Sequence, residues 1–175
     1  MRLFHLPSKL LGNKEKRALN KLQTYTKTKS FPSVLDCGWN YHIRSYIPGQ
    51  MLYNPSDKIS RDYFLQAKSI LREMRKLGVV NNELAKEANW LVKSDGTPAI
   101  VDFQLAVSGN LLGRKFIRLL AREDLRHLLK HKMTYIGLTA AEYNVVSNKS
   151  NLSRLYHVSI KKIYLFVTRK LMGWK

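Results

Sequence analysis

One cysteine, Cys37, occurs in 175 residues. A lone thiol excludes a disulfide framework and any cysteine-rich zinc module, and it suits a reducing compartment. Acid is scarce as well, with 12 Asp+Glu against 31 Lys+Arg and a formal net charge of +19. Only 5 prolines and 9 glycines are present, and the chain has no internal repeat and no low-complexity segment. No apolar run nears the roughly 18 residues that a membrane span requires. The opening MRLFHLPSKLLGNKEKR has Pro7 and charge where a secretion signal needs an unbroken apolar stretch. A cytoplasmic protein is expected, and the two N-x-S triplets at Asn148 and Asn151 are then chance matches.

What is present is enough to fold. Hydrophobic residues make up 45% of the chain and aromatics 10%, so a sizeable core can be buried within one domain. The basic excess is uneven: residues 31–108 are close to neutral, whereas 1–30 and 109–135 are strongly basic and 149–175 contain no acid at all. Chemistry is therefore expected in the middle, with flanks that meet something anionic: nucleic acid, phospholipid, lipopolysaccharide and acidic protein all qualify.

Ala18, Leu19 and Leu22 lie at helical spacing and predict a short helix over 14–23. VLDCGWNYHIRSYIPG alternates apolar and polar residues and predicts a hairpin. Ser60 caps a predicted helix running to Leu77, with Phe64, Ala67, Ile70, Leu71 and Met74 on one face and Gly78 as its stop. NWLVK and TPAIVDF, joined by Ser94-Asp95-Gly96, predict a second hairpin. One or two basic helices follow over 111–131, and Ile160, Ile163, Tyr164, Val167 and Leu171 mark a last one.

The order of these parts carries the functional argument. A long helix leads to a polar loop ending in Asn89, then to a hairpin, then to Asp102-Phe103. A hairpin returns the chain, so an Asn before its first strand and an Asp after its second lie side by side, both expected to face solvent. Amide and carboxylate oxygens suit magnesium, a hard cation. Protein kinases have the same layout: a catalytic loop supplies a base and a metal-binding Asn, and a later Asp supplies the second metal ligand.

NNELAKEANWLV followed by IVDFQLA resembles a narrower group, the small bacterial kinase-like proteins related to RIO-type and lipopolysaccharide-sugar kinases. The likeness extends from Arg44-Ser45-Tyr46-Ile47-Pro48-Gly49 through AREDLRHLLKHK to LFVTRKLMGW. It implies an α+β, protein-kinase-like fold, with a reduced or truncated amino-terminal lobe over 1–50 and a helical carboxyl-terminal lobe over 51–175. It also implies ATP and Mg2+ as cofactors and phosphotransfer to a hydroxyl of a protein or a lipopolysaccharide-like glycolipid. In that plan Glu83 and Lys86 are the catalytic residues, Asn89 and Asp102 the metal ligands, Glu15 a nucleotide-site residue and Asp124 a support beneath the loop.

The chain departs from the group at several points. Glu83 stands where the group has Asp, which lengthens the arm by one methylene. Asn81 stands where it has His, and a looser loop is expected from that loss. No glycine-rich strand is found and Lys9 is the only weak candidate for the strand lysine, so the rival reading is a pseudokinase that binds an anionic partner. His127 and His131 are spaced i, i+4, but no Glu follows the first in the manner of a zinc site, so zinc is not expected. A basic nucleic-acid-binding protein is a further rival, although without a recognised motif nucleic acid is not the expected partner. The terminal IKKIYLFVTRKLMGWK offers peripheral contact with an anionic membrane through Trp174 and its basic face, with core packing as the plainer use.

Overall fold

The computed structural model describes residues 5–25 (backbone alone for 5–10), 29–38, 41–53, 55, 58–109 and 113–148. The expected helix over 160–171, Trp174 and the side chain of Lys9 lie outside these residues.

Helix α1 runs from His5 to Tyr25, longer at both ends than the apolar pattern indicates. Pro7 does not break it, because a first-turn residue has no intrahelical acceptor for an N–H in any case. Its inner face is Glu15, Ala18, Leu19 and Leu22, all buried, at the i, i+3, i+4, i+7 positions of one stripe. Strands β1 (Val34–Cys37) and β2 (His42–Arg44) form the expected antiparallel hairpin, with a register shift between Val34 and Asp36.

Helix α2 (Arg61–Lys76) obeys its sequence signals closely. Ser60 Oγ accepts from the Tyr63 amide at 3.1 Å, Asp62 sits in the first turn, and Arg75 and Lys76 complement the negative end of the helix. Gly78 follows at φ +65°, the left-handed geometry that stops a helix. Tyr63, Phe64, Ala67, Ile70, Leu71 and Met74 are buried.

Strands β5 (Trp90–Val92) and β6 (Pro98–Ile100) make the second expected hairpin, in the register Trp90↔Ile100, Leu91↔Ala99, Val92↔Pro98. A short strand β3 (Gln50–Met51) adds to β5. Strand β4 (Val79–Val80) pairs with β7 (Val107–Ser108). Two-residue strands leave no alternation to detect, so β3, β4 and β7 were invisible to patterning.

Helix α3 (Gly113–Tyr135) is a single helix. It buries charge to an unusual degree, at Glu123, Asp124, Arg126, His131 and Lys132. Partners explain most of it: Arg126 bonds Glu123 at 2.9 Å, and Lys132 reaches Glu142 at 2.6 Å on helix α4 (Ala140–Ser147), whose start is fixed by the Thr139–Glu142 capping box. Trp90, Tyr63, Phe103, Leu52 and Leu84 centre the core, and Phe31 meets Phe103 edge to face at 5.9 Å. Among the described residues no helix is long and apolar enough to cross a membrane.

Candidate active site

Strands β4 and β5 bracket a loop, residues 81–89, whose polar groups close into a ring. The Asn81 side chain donates from Nδ2 to the Asp102 carbonyl at 2.8 Å, while its Oδ1 accepts from the Glu83 amide at 2.9 Å. Glu83 in turn offers its carbonyl to Asn89 Nδ2 at 3.1 Å. The Asn89 carbonyl accepts from the Val101 amide at 3.0 Å, one residue before Asp102. Asn89 and Asp102 therefore occupy the same end of the β5–β6 hairpin, tied together through Asn81 and Glu83.

Two residues of this region have left-handed backbone, Asn82 at φ +68° and Asp102 at φ +59°. Asn and Asp visit that region more readily than other side chains do, yet holding it costs about 1 kcal/mol or more per residue. Asn82 is held by Nδ2 donating to Leu105 O at 3.1 Å, and Asp102 Oδ1 accepts from Gln104 N at 3.3 Å. At Asp102 the reversal lets Phe103 enter the core, fully buried, while the carboxylate stays half-buried at the loop.

Helix α3 supports the loop at two points. Asp124 accepts from the amides of Asn81 at 2.9 Å and Asn82 at 3.2 Å. Two helical turns on, His131 Nε2 donates to Leu84 O at 2.8 Å, an oxygen that Trp90 Nε1 also reaches at 3.3 Å. His131 Nδ1 lies 3.4 Å from Glu87. Burial pushes the Asp124 carboxyl up to about 7; the two amides act in the opposite direction and Glu123 adds slightly to the rise. Desolvation outweighs the hydrogen bonds there.

The sequence reading is corrected at two places. Asn81 does not loosen the loop: it is fully buried and bonded at both ends of its amide, so it joins Asp102 to Glu83. Asn89 is not open to solvent but 5% exposed. Glu15, a nucleotide-site residue in the resemblance, is buried between His42 Nε2 at 3.3 Å and the Arg44 guanidinium, both on β2. Glu83 and Lys86, expected to act on a substrate, bond one another at 2.5 Å, with Glu83 mostly covered and Lys86 exposed.

The Asn89 and Asp102 oxygens suit a magnesium ion. Anchoring Asn89 Nδ2 to a carbonyl fixes which end of its amide is oxygen, and that buried oxygen has no hydrogen bond among the described residues. Asp102 offers a carboxylate at the same end of the hairpin. One carboxylate and one amide oxygen fit a cation that keeps waters and phosphate oxygens as its other ligands. Among the described residues no group of three His, Cys, Asp or Glu gathers as a soft-metal site would require. Neither residue lines the concavities of about 600, 470 and 1030 Å³ found elsewhere on the surface.

No protein-family model and no curated protein sequence matches the chain. Solved structures do. The Rio2 kinase from Chaetomium thermophilum superposes with a TM-score of 0.59 at 13% identity, over 85% of this chain and 50% of that one. A second structure, described as the Rio2 kinase–ADP/Mg2+–phosphoaspartate complex from Chaetomium thermophilum, gives 0.58 at 16% identity, over 89% of this chain and 50% of that one. The chain thus spans about half the length of these neighbours. At such identity the likeness is one of fold: this α+β chain has a protein-kinase-like fold, mainly the helical carboxyl-terminal lobe with a reduced amino-terminal lobe.

Proposed function

We propose that the chain is a phosphotransferase of the protein-kinase type, binding ATP with Mg2+ at Asn89 and Asp102 and passing a phosphoryl group to a hydroxyl of a protein or a glycolipid sugar. The observation that supports this best is the buried Asn89 amide oxygen, without a hydrogen bond among the described residues, on a loop tied to Asp102 through the Asn81–Glu83 ring. A bound metal–nucleotide would supply the phosphoryl group and neutralise its charge. The chain's own groups would do the rest. Asn89 and Asp102 would hold the metal, at a loop whose start Asp124 anchors through the Asn81 and Asn82 amides. Glu83 orients the acceptor hydroxyl or takes its proton, and Lys86 turns from Glu83 to the anionic oxygens of the group in transfer. Glu15 and Arg44 supply a carboxylate–cation pair on helix and strand, and Arg44 is proposed for the part that a strand lysine takes in kinases.

The Glu83–Lys86 bond favours a second reading, a nucleotide-binding pseudokinase in which the two residues neutralise each other. Thermal unfolding with ATP plus Mg2+ tests what both readings share. Stabilisation by about 2.7 kcal/mol is expected at a hundredfold excess over Kd, abolished by EDTA and by Asp102→Ala. An unchanged midpoint would remove the nucleotide site. Label transfer from [γ-32P]ATP then separates kinase from pseudokinase.

A further inference from the structure

Helices α1, α2 and α3 converge on a hollow at the far end of the β4–β7 ribbon from Asn81. It encloses about 1030 Å³ and is lined by Lys21, Arg75, Lys76, Arg114, Arg118 and Tyr25, over a floor that includes Gly78 and Gly109. Among the described residues no acid lines it. Lys21 Nζ stands over the floor, 3.7 Å from where a Cβ on Gly78 would be. None of these cations makes an ion pair with a carboxylate among the described residues, although Arg44, Lys86, Arg126 and Lys132 elsewhere do. Five cations held around one hollow without counter-charge repel one another, an arrangement that an incoming anion relieves.

We propose that this hollow is a binding site for a single-stranded nucleic acid, independent of phosphotransfer. The cations come from three elements, so they mark a track and not a point. Lys21 and Tyr25 share a face of α1 at i, i+4, as Arg114 and Arg118 do on α3, whose amino terminus adds positive partial charge. Tyr25 is 69% exposed and supplies the flat face on which a base stacks beside a contacted phosphate. The other occupants fit less well. The chain's own segment 149–175 carries only basic charge and would be repelled, as would a second copy at +19. A concave site does not meet a flat bilayer. The absence of a sequence motif for nucleic acid is no obstacle, because phosphate tracking needs charge and stacking and no base code.

The test uses the full chain and fluorescein-labelled oligo(dT) in anisotropy titrations between 50 and 200 mM salt. Each phosphate neutralised adds about −0.7 to the slope of log K on log salt. Arg114→Ala/Arg118→Ala is expected to make that slope shallower by about 1.4 and to weaken binding on the order of tenfold. Arg61→Ala/Arg72→Ala removes the same charge from exposed α2 positions outside the hollow and is expected to change little. Tyr25→Ala should weaken oligo(dT) roughly fivefold or more and leave heparin, a polyanion without bases, unaffected. Equal losses from the two arginine pairs would overturn the site in favour of diffuse charge. Indifference of oligo(dT) to Tyr25→Ala, or capture of phosphatidylglycerol vesicles but not oligo(dT), would overturn the nucleic-acid assignment.

Discussion

Asp124 carries a carboxyl group into a place that water does not reach, and its two amide donors do not fully compensate. With its pKa pushed up to about 7 in the folded chain against 3.8 in an unfolded one, the group favours folding most when protonated. That contribution is complete below about pH 4 and is lost as pH rises toward 7, at up to about 1.4 kcal/mol per pH unit. Asp124→Asn removes the titration but leaves one of two buried N–H groups facing another donor, at a cost of about 1–3 kcal/mol. The deficit of the variant in urea unfolding is expected to be largest near pH 4.5 and to shrink by pH 8. A deficit that grows with pH would mean that the amides, and not burial, set the state of the carboxyl. The Glu83 arm makes a second residue-scale prediction. Glu83→Asp withdraws the carboxylate by one methylene and releases Lys86, so phosphotransfer should rise several-fold; an unchanged or lower rate in a verified active preparation removes Glu83 from the mechanism. Sequence reading singled out Glu83, Asn89, Asp102 and Asp124 by type and spacing, and the structure draws the first three into one ring with Asp124 bonded to the Asn81 and Asn82 amides. Sequence reading misjudged Asn81, whose usefulness depends on reaching Asp102 and Glu83 at once, which is a property of distance.

At the scale of elements, α3 is the rail on which the loop rides, with Asp124 gripping its start and His131 its middle. His131→Leu keeps the helix but leaves the Leu84 carbonyl with only the longer Trp90 bond. Hydrogen exchange across 84–90 is expected to quicken well before global unfolding, while α2 keeps its protection. Helix α1 and strand β2 are joined through Glu15. Arg44→Met strips a buried carboxylate of its permanent cation and should cost about 2 kcal/mol, a figure lowered by the partial exposure of Arg44. Adding Glu15→Gln to that variant should cost less than the two changes separately, as a double-mutant cycle would register. The α2 helix and both hairpins could be read from periodicity and turn chemistry alone. The extension of α1 to His5 and the existence of α4 could not, since the first has polar outer positions and the second rests on a cap and one ion pair to Lys132.

The whole molecule carries +19 on 175 residues, and such a surface opposes its own compactness. Raising NaCl from 50 to 300 mM shortens the Debye length, about 10 Å at 0.1 M, from above that value to well below it. The thermal midpoint is therefore expected to rise with salt; a fall would show that the few ion pairs, Glu15 with Arg44 and Lys132 with Glu142 among them, outweigh the general repulsion. The near-neutral middle recognised in the sequence corresponds to the part that holds the ring. The strongly basic 109–135 segment splits between buried partners on α3 and the exposed arginines of the hollow, a division that a one-dimensional charge count does not contain.

The grip of Asp124 on the Asn81 amide spans 43 positions of sequence, and that of His131 on Leu84 spans 47. A ribosome adding about 5–20 residues each second delivers the loop seconds before its anchors. Until α3 has cleared the exit tunnel the nascent loop has nothing to lock against. The newborn chain thus passes through an interval in which proteases can cut at 81–89, and chaperone occupancy during translation should peak there.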